Sequence, residues 1–197
     1  MRAWVRVVAL CCVILTCGPI AAWSQETELR DRYLGRPRGP YQGQVIDAET
    51  KAPLAGAVVV ALWRRNRVYP FHSVSEHYAV RETVTDLEGR FLLNAKDVEE
   101  GAPARTYHPE FLIFQPGYGS FPRGHAAPTG FIGGIFEQPG AIIELPRLVS
   151  REARRKHLFL FDPHSYSKTP FKDLPVFVRR FNEERISIGL EPLSPQE

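Results

Sequence analysis

Residues 57–63 read Ala-Val-Val-Val-Ala-Leu-Trp, seven apolar side chains without a break. The run has strand length, and its valines are stiff at χ1 and favour extended backbone. Alternation puts Val58, Val60 and Leu62 on one face and Ala57, Val59, Ala61 and Trp63 on the other. Both faces must leave water, so the strand needs a covering layer on each side. Gly56, just before it, suits a close backbone approach or a positive φ.

The flanking residues supply further strands. Gly43–Ile46 is a strand, followed by a polar turn from Asp47 to Pro53. Val80–Thr85 is another, then a tight turn, Asp86-Leu87-Glu88-Gly89. There Asp86 can accept bonds from backbone amides, and Gly89 can hold the left-handed position. Phe91 and Leu93 share a face and should enter the core. Arg64–His77 reads as an insert between strands, and Glu99–Pro109 as a loop. Phe111–Phe114 and Ala141–Leu145 are the remaining strands. The expected class is mainly β, a small β-sandwich, with a C-terminal α-helical extension.

The strings Gly43-Gln-Val-Ile-Asp-Ala-Glu-Thr, Pro53-Leu-Ala-Gly-Ala-Val-Val, Thr85-Asp86-x-x-Gly89-Arg90-Phe91 and Pro116-Gly117-Tyr118 occur in that order. With them the chain resembles the carboxypeptidase regulatory-like family over roughly residues 41–120. That resemblance implies a seven-stranded-type transthyretin-like/Ig-like β-sandwich, a module attached to carboxypeptidases and common in bacterial envelope proteins. It is nearly silent about function, because one fold hosts many. Arg64–His77 lengthens a link that is short in the family, and the tail after Pro146 is an addition.

The amino terminus sets the expected compartment. Arg2 and Arg6 precede an apolar run, Val7–Leu15, too short for a comfortable membrane span. Ala22-Trp23-Ser24 offers a small-x-small cleavage pattern, so residues 1–24 read as a signal peptide cut after Ser24. The expected localisation is periplasmic or secreted. All three cysteines, Cys11, Cys12 and Cys17, lie in this segment. The processed chain therefore depends on its core without a disulfide. Thr16 before Cys17 stands where lipid anchoring wants a small residue, which weighs against a lipoprotein. Net charge is +3, and removing two arginines and no acid leaves +1. That balance provides no broad basic field for nucleic acid. Residues 25–40 read as an extended arm, 41–146 as the sandwich and 147–197 as the helical extension.

Gln115–Gly140 is a segment of 26 residues with seven glycines and four prolines. Loops this long are uncommon and often functional. Tyr118, Phe121, Arg123, His125, Phe131 and Phe136 are its candidate partner-binding residues, with an envelope protein or glycan as partner. The competing reading is a self-packed loop whose rings bury against the domain. Beyond it, Ser150 can cap a helix over Arg151–Leu158. Leu174, Phe177, Val178, Phe181 and Ile188 then mark one face of a second helix ended by Gly189 and Pro192. Glu183 and Glu184 fall on its polar face, which weighs against membrane-surface binding by this helix.

No catalytic, metal or cofactor site is assigned. A carboxypeptidase zinc site needs His-x-x-Glu, and none occurs. The intradiol ring-cleaving dioxygenases share a comparable strand ending in Trp and a similar Thr-Asp-x-x-Gly-Arg turn, but their iron needs a His-x-His pair. Tyr69, Tyr78, Tyr107, His72, His77, His108 and His125 contain no such pair. His72 and His77, five apart, would point to opposite sides of a strand. His157 and His164 read as surface or capping residues. No activated nucleophile is visible. The basic groups Arg64/Arg65/Arg67, Arg151/Arg154/Arg155/Lys156 and Arg179/Arg180 read as solvated faces. The resulting expectation is a non-catalytic binding or structural module. A metal-dependent enzyme on the same sandwich and a lipid-facing accessory protein are the alternatives.

Overall fold

Asp47 shows how the first turn is built. Its carboxylate accepts the amide N–H of Glu49 and of Thr50, both at 2.8 Å. This side-chain capping lets the chain reverse after strand β1 (Tyr41–Asp47), with Lys51 at φ 60°. The structure, a computed structural model, describes residues 39–102, 106, 109–122, 131–132, 135–136, 140–160 and 170–194. All of them fall in one unit, Arg36–Glu197. The expected signal peptide, residues 25–38 of the arm, Tyr107, His108 and His164 lie outside the described residues.

The remaining strands are β2 (Val58–Val68), β3 (Ser73–Val84), β4 (Arg90–Leu93), β5 (Glu110–Phe114), β6 (Phe131–Ile132), β7 (Ile135–Phe136) and β8 (Ala141–Leu145). The fold is mainly β. One three-stranded sheet runs β4-β1-β8, with β1 antiparallel to β4 and parallel to β8. The other runs β3-β2-β5 and is wholly antiparallel. β6 and β7 form a separate two-stranded hairpin. Among the described residues three α-helices accompany them: α1 (Lys96–Glu100), α2 (Arg151–Leu160) and α3 (Pro175–Ser187). Helix α1 runs just ahead of the expected loop Glu99–Pro109 and takes in its first two residues; five residues carry no clear period in sequence.

The two faces of β2 divide as alternation predicts. Ala57, Val59, Ala61 and Trp63 join a core cluster with Val45 of β1, Phe91 and Leu93 of β4, Phe111 and Ile113 of β5, and Ile143 and Leu145 of β8. That cluster draws on both sheets. Val58, Val60 and Leu62 join Leu112 and Phe114 of β5 in a second cluster with Leu174, Phe177, Val178, Phe181 and Ile188. Helix α3 is thus the covering layer on that side. The Phe114, Phe177 and Phe181 rings lie 5.5–5.6 Å apart. Burying each ring stabilises by about 1.5–3 kcal/mol.

Two turns hold the edges of this core. Asp86 Oδ1 accepts the Glu88 and Arg90 amides at 3.1 and 2.7 Å, and Gly89 sits at φ +70°. A Cβ on Gly89 would lie 2.5 Å from the Val45 carbonyl oxygen, so both conformation and space require glycine. Buried Thr85 donates to the Leu54 carbonyl (2.6 Å) and accepts the Ala57 amide (2.9 Å), tying the β3 end to the β2 start. Glu82 of β3 accepts the Val176 and Phe177 amides at 3.0 and 2.8 Å. A residue 94 positions away thereby satisfies the open N-terminus of α3, behind Pro175. Burial raises the Glu82 pKa, and these two amides oppose the rise.

Candidate functional site

Strand β2 leaves its sheet partner β5 at Leu62, the last residue in their register. A bulge follows between Trp63 and Arg64. Beyond it, Arg64–Val68 pairs with Ser73–His77, so the predicted insert is a continuation of β2 and β3 into one long hairpin. Among the described residues, an isolated bridge from Arg65 to Thr106 flanks this part. Five residue pairs extend the hairpin about 17 Å past the sheet at ~3.3 Å per residue. At its end the Tyr69 amide donates to the His72 carbonyl at 2.8 Å, closing a turn over Pro70 and Phe71. The Tyr69 and His72 rings stack with centroids 4.9 Å apart, 15° from parallel.

The tip is apolar and uncovered. Phe71 is 99% exposed and Val68 60%, with Tyr69 and Val74 also exposed. Of the ten large exposed apolar side chains among the described residues, these four fall within residues 68–74. Among the described residues no span of that length outside residues 68–74 holds more than two. Clustering of this kind distinguishes a contact surface from scattered exposure. Three residue pairs back from Val68–Ser73, Glu76 Oε2 faces Arg67 Nε at 2.9 Å and Arg65 Nη2 at 3.3 Å. Arg64 Nε lies 3.5 Å from Glu110 on β5.

The start of the 115–140 segment is engaged inward. Phe121 is buried in the core shared by the two sheets, and it exchanges backbone bonds with Ile113 at 2.9 and 3.2 Å. It therefore acts as packing, in line with the self-packed reading. Tyr118 is half-buried, packs against the same core and donates its hydroxyl to Asp47. Burial, followed by the Asp47 carboxylate, pushes its pKa up. Asp47 is held below the usual carboxylate range by the Thr50 amide first, against its own burial. Phe131 and Phe136 stand opposite each other in the β6–β7 hairpin. Arg123 and His125 lie outside the described residues. Of the six predicted contact residues, Tyr118 and Phe121 are the two with described side chains, and both are engaged inward.

A second polar centre joins this segment to the helices. Glu184 falls on the polar side of the α3 pattern, yet it is 2% exposed. Its Oε1 accepts Arg154 Nε at 2.7 Å; its Oε2 accepts Arg154 Nη2 at 2.5 Å and the Gly117 amide at 2.7 Å. Helix α3 is packed on one side by the sheet and approached on another by Arg154 of α2 and by Gly117, so more than one of its faces is covered. His157 of α2 is half-buried, and burial lowers its pKa against the pull of Glu184.

The described residues weighed as metal ligands, Tyr69, His72, His77 and Tyr78, do not converge; Tyr107, His108 and His125 lie outside the described residues. Tyr69 and His72 meet at the exposed turn, whereas Tyr78 donates to the Gly101 carbonyl at 3.0 Å. His77 pairs across the hairpin with Arg64, and burial lowers its pKa. Among the described residues no three His, Cys, Asp or Glu side chains form a cation site. No described helix is long and apolar enough to cross a membrane.

The hairpin tip is the feature that reading the chain as a linear pattern passed over. Its signal was Pro70, which presets φ at the first of two turn residues, between runs able to pair.

No protein-family model matches the chain, and no curated protein matches it. Among solved structures, a 9R-lipoxygenase from Cyanothece PCC8801 aligns at 13% identity with a TM-score of 0.26. The alignment covers 87% of this chain and 29% of the lipoxygenase chain. Similarity at that level carries no argument about fold or activity.

Proposed function

We propose that this chain is a non-catalytic binding module of the bacterial envelope, secreted or periplasmic, which docks through the tip of its β2–β3 hairpin. The observation that carries the reading is the apolar cluster Val68, Tyr69, Phe71 and Val74 at the end of a hairpin clear of the core. Exposing such a cluster is unfavourable in water unless a partner covers it.

The scaffold is a β-sandwich of the seven-stranded transthyretin-like kind, with six strands in its two sheets. Support comes from the core cluster shared by both sheets and from the Thr85–Phe91 turn, where Thr85, Asp86 and Gly89 each fill a geometric role. The non-catalytic reading is supported by what the ionisable groups do. Asp47 organises a turn, Glu82 caps α3, Glu184 clamps Arg154 and Gly117, and Glu99 accepts bonds from Tyr41 and Gly39 at 2.6 Å.

The test is co-sedimentation of the chain with a bacterial envelope fraction, comparing wild type with Val68→Ser/Phe71→Ser. Both positions are exposed, so the variant should fold normally and lose retention. Equal retention of the two proteins would overturn the docking reading.

A further inference from the structure

The tip has three properties that together identify what covers it. It projects, because the turn over Pro70 and Phe71 stands five residue pairs, about 17 Å, beyond the last pairing with β5. Its apolar side chains come first, at 68–74, and its arginines stand behind them on the stem, at 64, 65 and 67. The stem keeps a cationic excess: Arg64 faces Glu110, while Arg65 and Arg67 share the single carboxylate of Glu76.

Building on the docking reading, we propose that the β2–β3 hairpin inserts its tip into the interface of an anionic phospholipid bilayer. Phe71 and Val68 would reach the boundary between headgroups and acyl chains, where apolar side chains leave water without needing a shaped pocket. Tyr69 has the amphipathic ring favoured at headgroup depth. Arg67 and Arg65 have stems long enough to lie along the hairpin while their guanidinium groups meet lipid phosphates. Glu76, shared between those two arginines, leaves one positive charge in excess on that face. Attraction to an anionic surface follows from that excess. The other apolar surface considered for lipid, the ring-bearing face of α3, is already buried against β2 and β5.

Flotation with vesicles tests the proposal. The chain recovered from the periplasmic or secreted fraction is mixed with phosphatidylglycerol/phosphatidylethanolamine vesicles or with phosphatidylcholine vesicles. Comparing wild type with tip variants cancels any contribution from the apolar run at 7–15. Wild type should float with the anionic vesicles and much less with phosphatidylcholine. Phe71→Ser should weaken partition by about tenfold or more, the scale of a buried phenyl ring. Phe71→Trp should float like wild type, and its emission should shift to the blue on vesicle addition. Arg67→Glu should abolish the preference for anionic lipid, and added salt should weaken wild-type binding.

No flotation by wild type, or equal flotation by Phe71→Ser, overturns the inference. Tip-dependent retention on envelope fractions without vesicle binding would leave the docking reading standing and point to a protein or glycan. Tip-dependent self-association in sedimentation velocity, without lipid, would assign the tip to a second copy of the chain and equally overturn the inference.

Discussion

Replacing Arg154 by methionine should destabilise the protein severely, and the cause lies in Glu184. The Glu184 carboxylate is 2% exposed and receives three hydrogen bonds, two from Arg154 and one from the Gly117 amide. Methionine keeps the bulk of the side chain and removes the charge with two of the three donors. A hydrogen bond to a charged group is worth about 1.5–3 kcal/mol, so two amount to roughly 3–6 kcal/mol. Breaking a buried ion pair by deleting one member costs about 3–5 kcal/mol, in agreement. The converse change, Glu184→Gln, should cost less, about 1–2 kcal/mol, because the Arg154 side chain is 22% exposed and can reach water. The double variant Arg154→Met/Glu184→Gln should then be more stable than Arg154→Met alone. Urea unfolding at pH 7 can be followed by the emission of Trp63, the single tryptophan beyond residue 24. With a slope near 2 kcal/mol per molar urea, Arg154→Met should lower the midpoint by about 1.5–2.5 M. A shift under about 0.5 M, or strict additivity of the two changes, would refute the view that the pair is a buried, mutually dependent unit.

Three further outcomes follow from the packing. Phe181→Ala should cost about 3–5 kcal/mol in the same urea assay, since its ring is buried between Phe114 and Phe177. Gly89→Val forces a β-branched residue to φ +70°, with its Cβ against the Val45 carbonyl. It should lose at least about 1–3 kcal/mol, read as a lowered melting temperature. Asp47→Asn tests a pH window. The folded Asp47 pKa lies below its ordinary value, chiefly through the Thr50 amide, so its contribution is full above about pH 4 and is lost as pH falls through the folded value. The stability gap between wild type and variant should therefore be open at pH 7 and close in acid; a gap that stays constant from pH 7 to pH 3 would contradict it.

Features set by local rules were legible from the residues alone. The division of β2 into two faces follows from strict alternation, and both faces are covered as that pattern demanded. The Asp86–Gly89 turn follows from side-chain bonding to nearby amides and from the freedom of glycine. The apolar face of α3, from Leu174 to Ile188, follows from helical period. Ser150 accepts the Ala153 amide at 3.1 Å at the start of α2, as its side chain suggests.

Tertiary structure decided what depends on neighbours remote in the chain. Glu184 belongs to a polar face by period, but α2 and residues 115–118 close over it, and Arg154 and Gly117 make its burial tolerable. Tyr118 and Phe121 sit in a glycine-rich stretch that looks like an exposed loop. Their orientation is set by Asp47 and Ile113, and they turn inward. The hairpin is the clearest case. Arg64–His77 lacks the continuous apolar run of a buried strand, because beyond Trp63 it has no sheet to pack against. Among the described residues, pairing between β2 and β3 with one bridge from Arg65 to Thr106 keeps it extended, and the tip beyond leaves Phe71 in water. Local chemistry dictates turns, periods and faces; which of those faces meets another, and which stays open, is settled only when distant segments compete for the same surface.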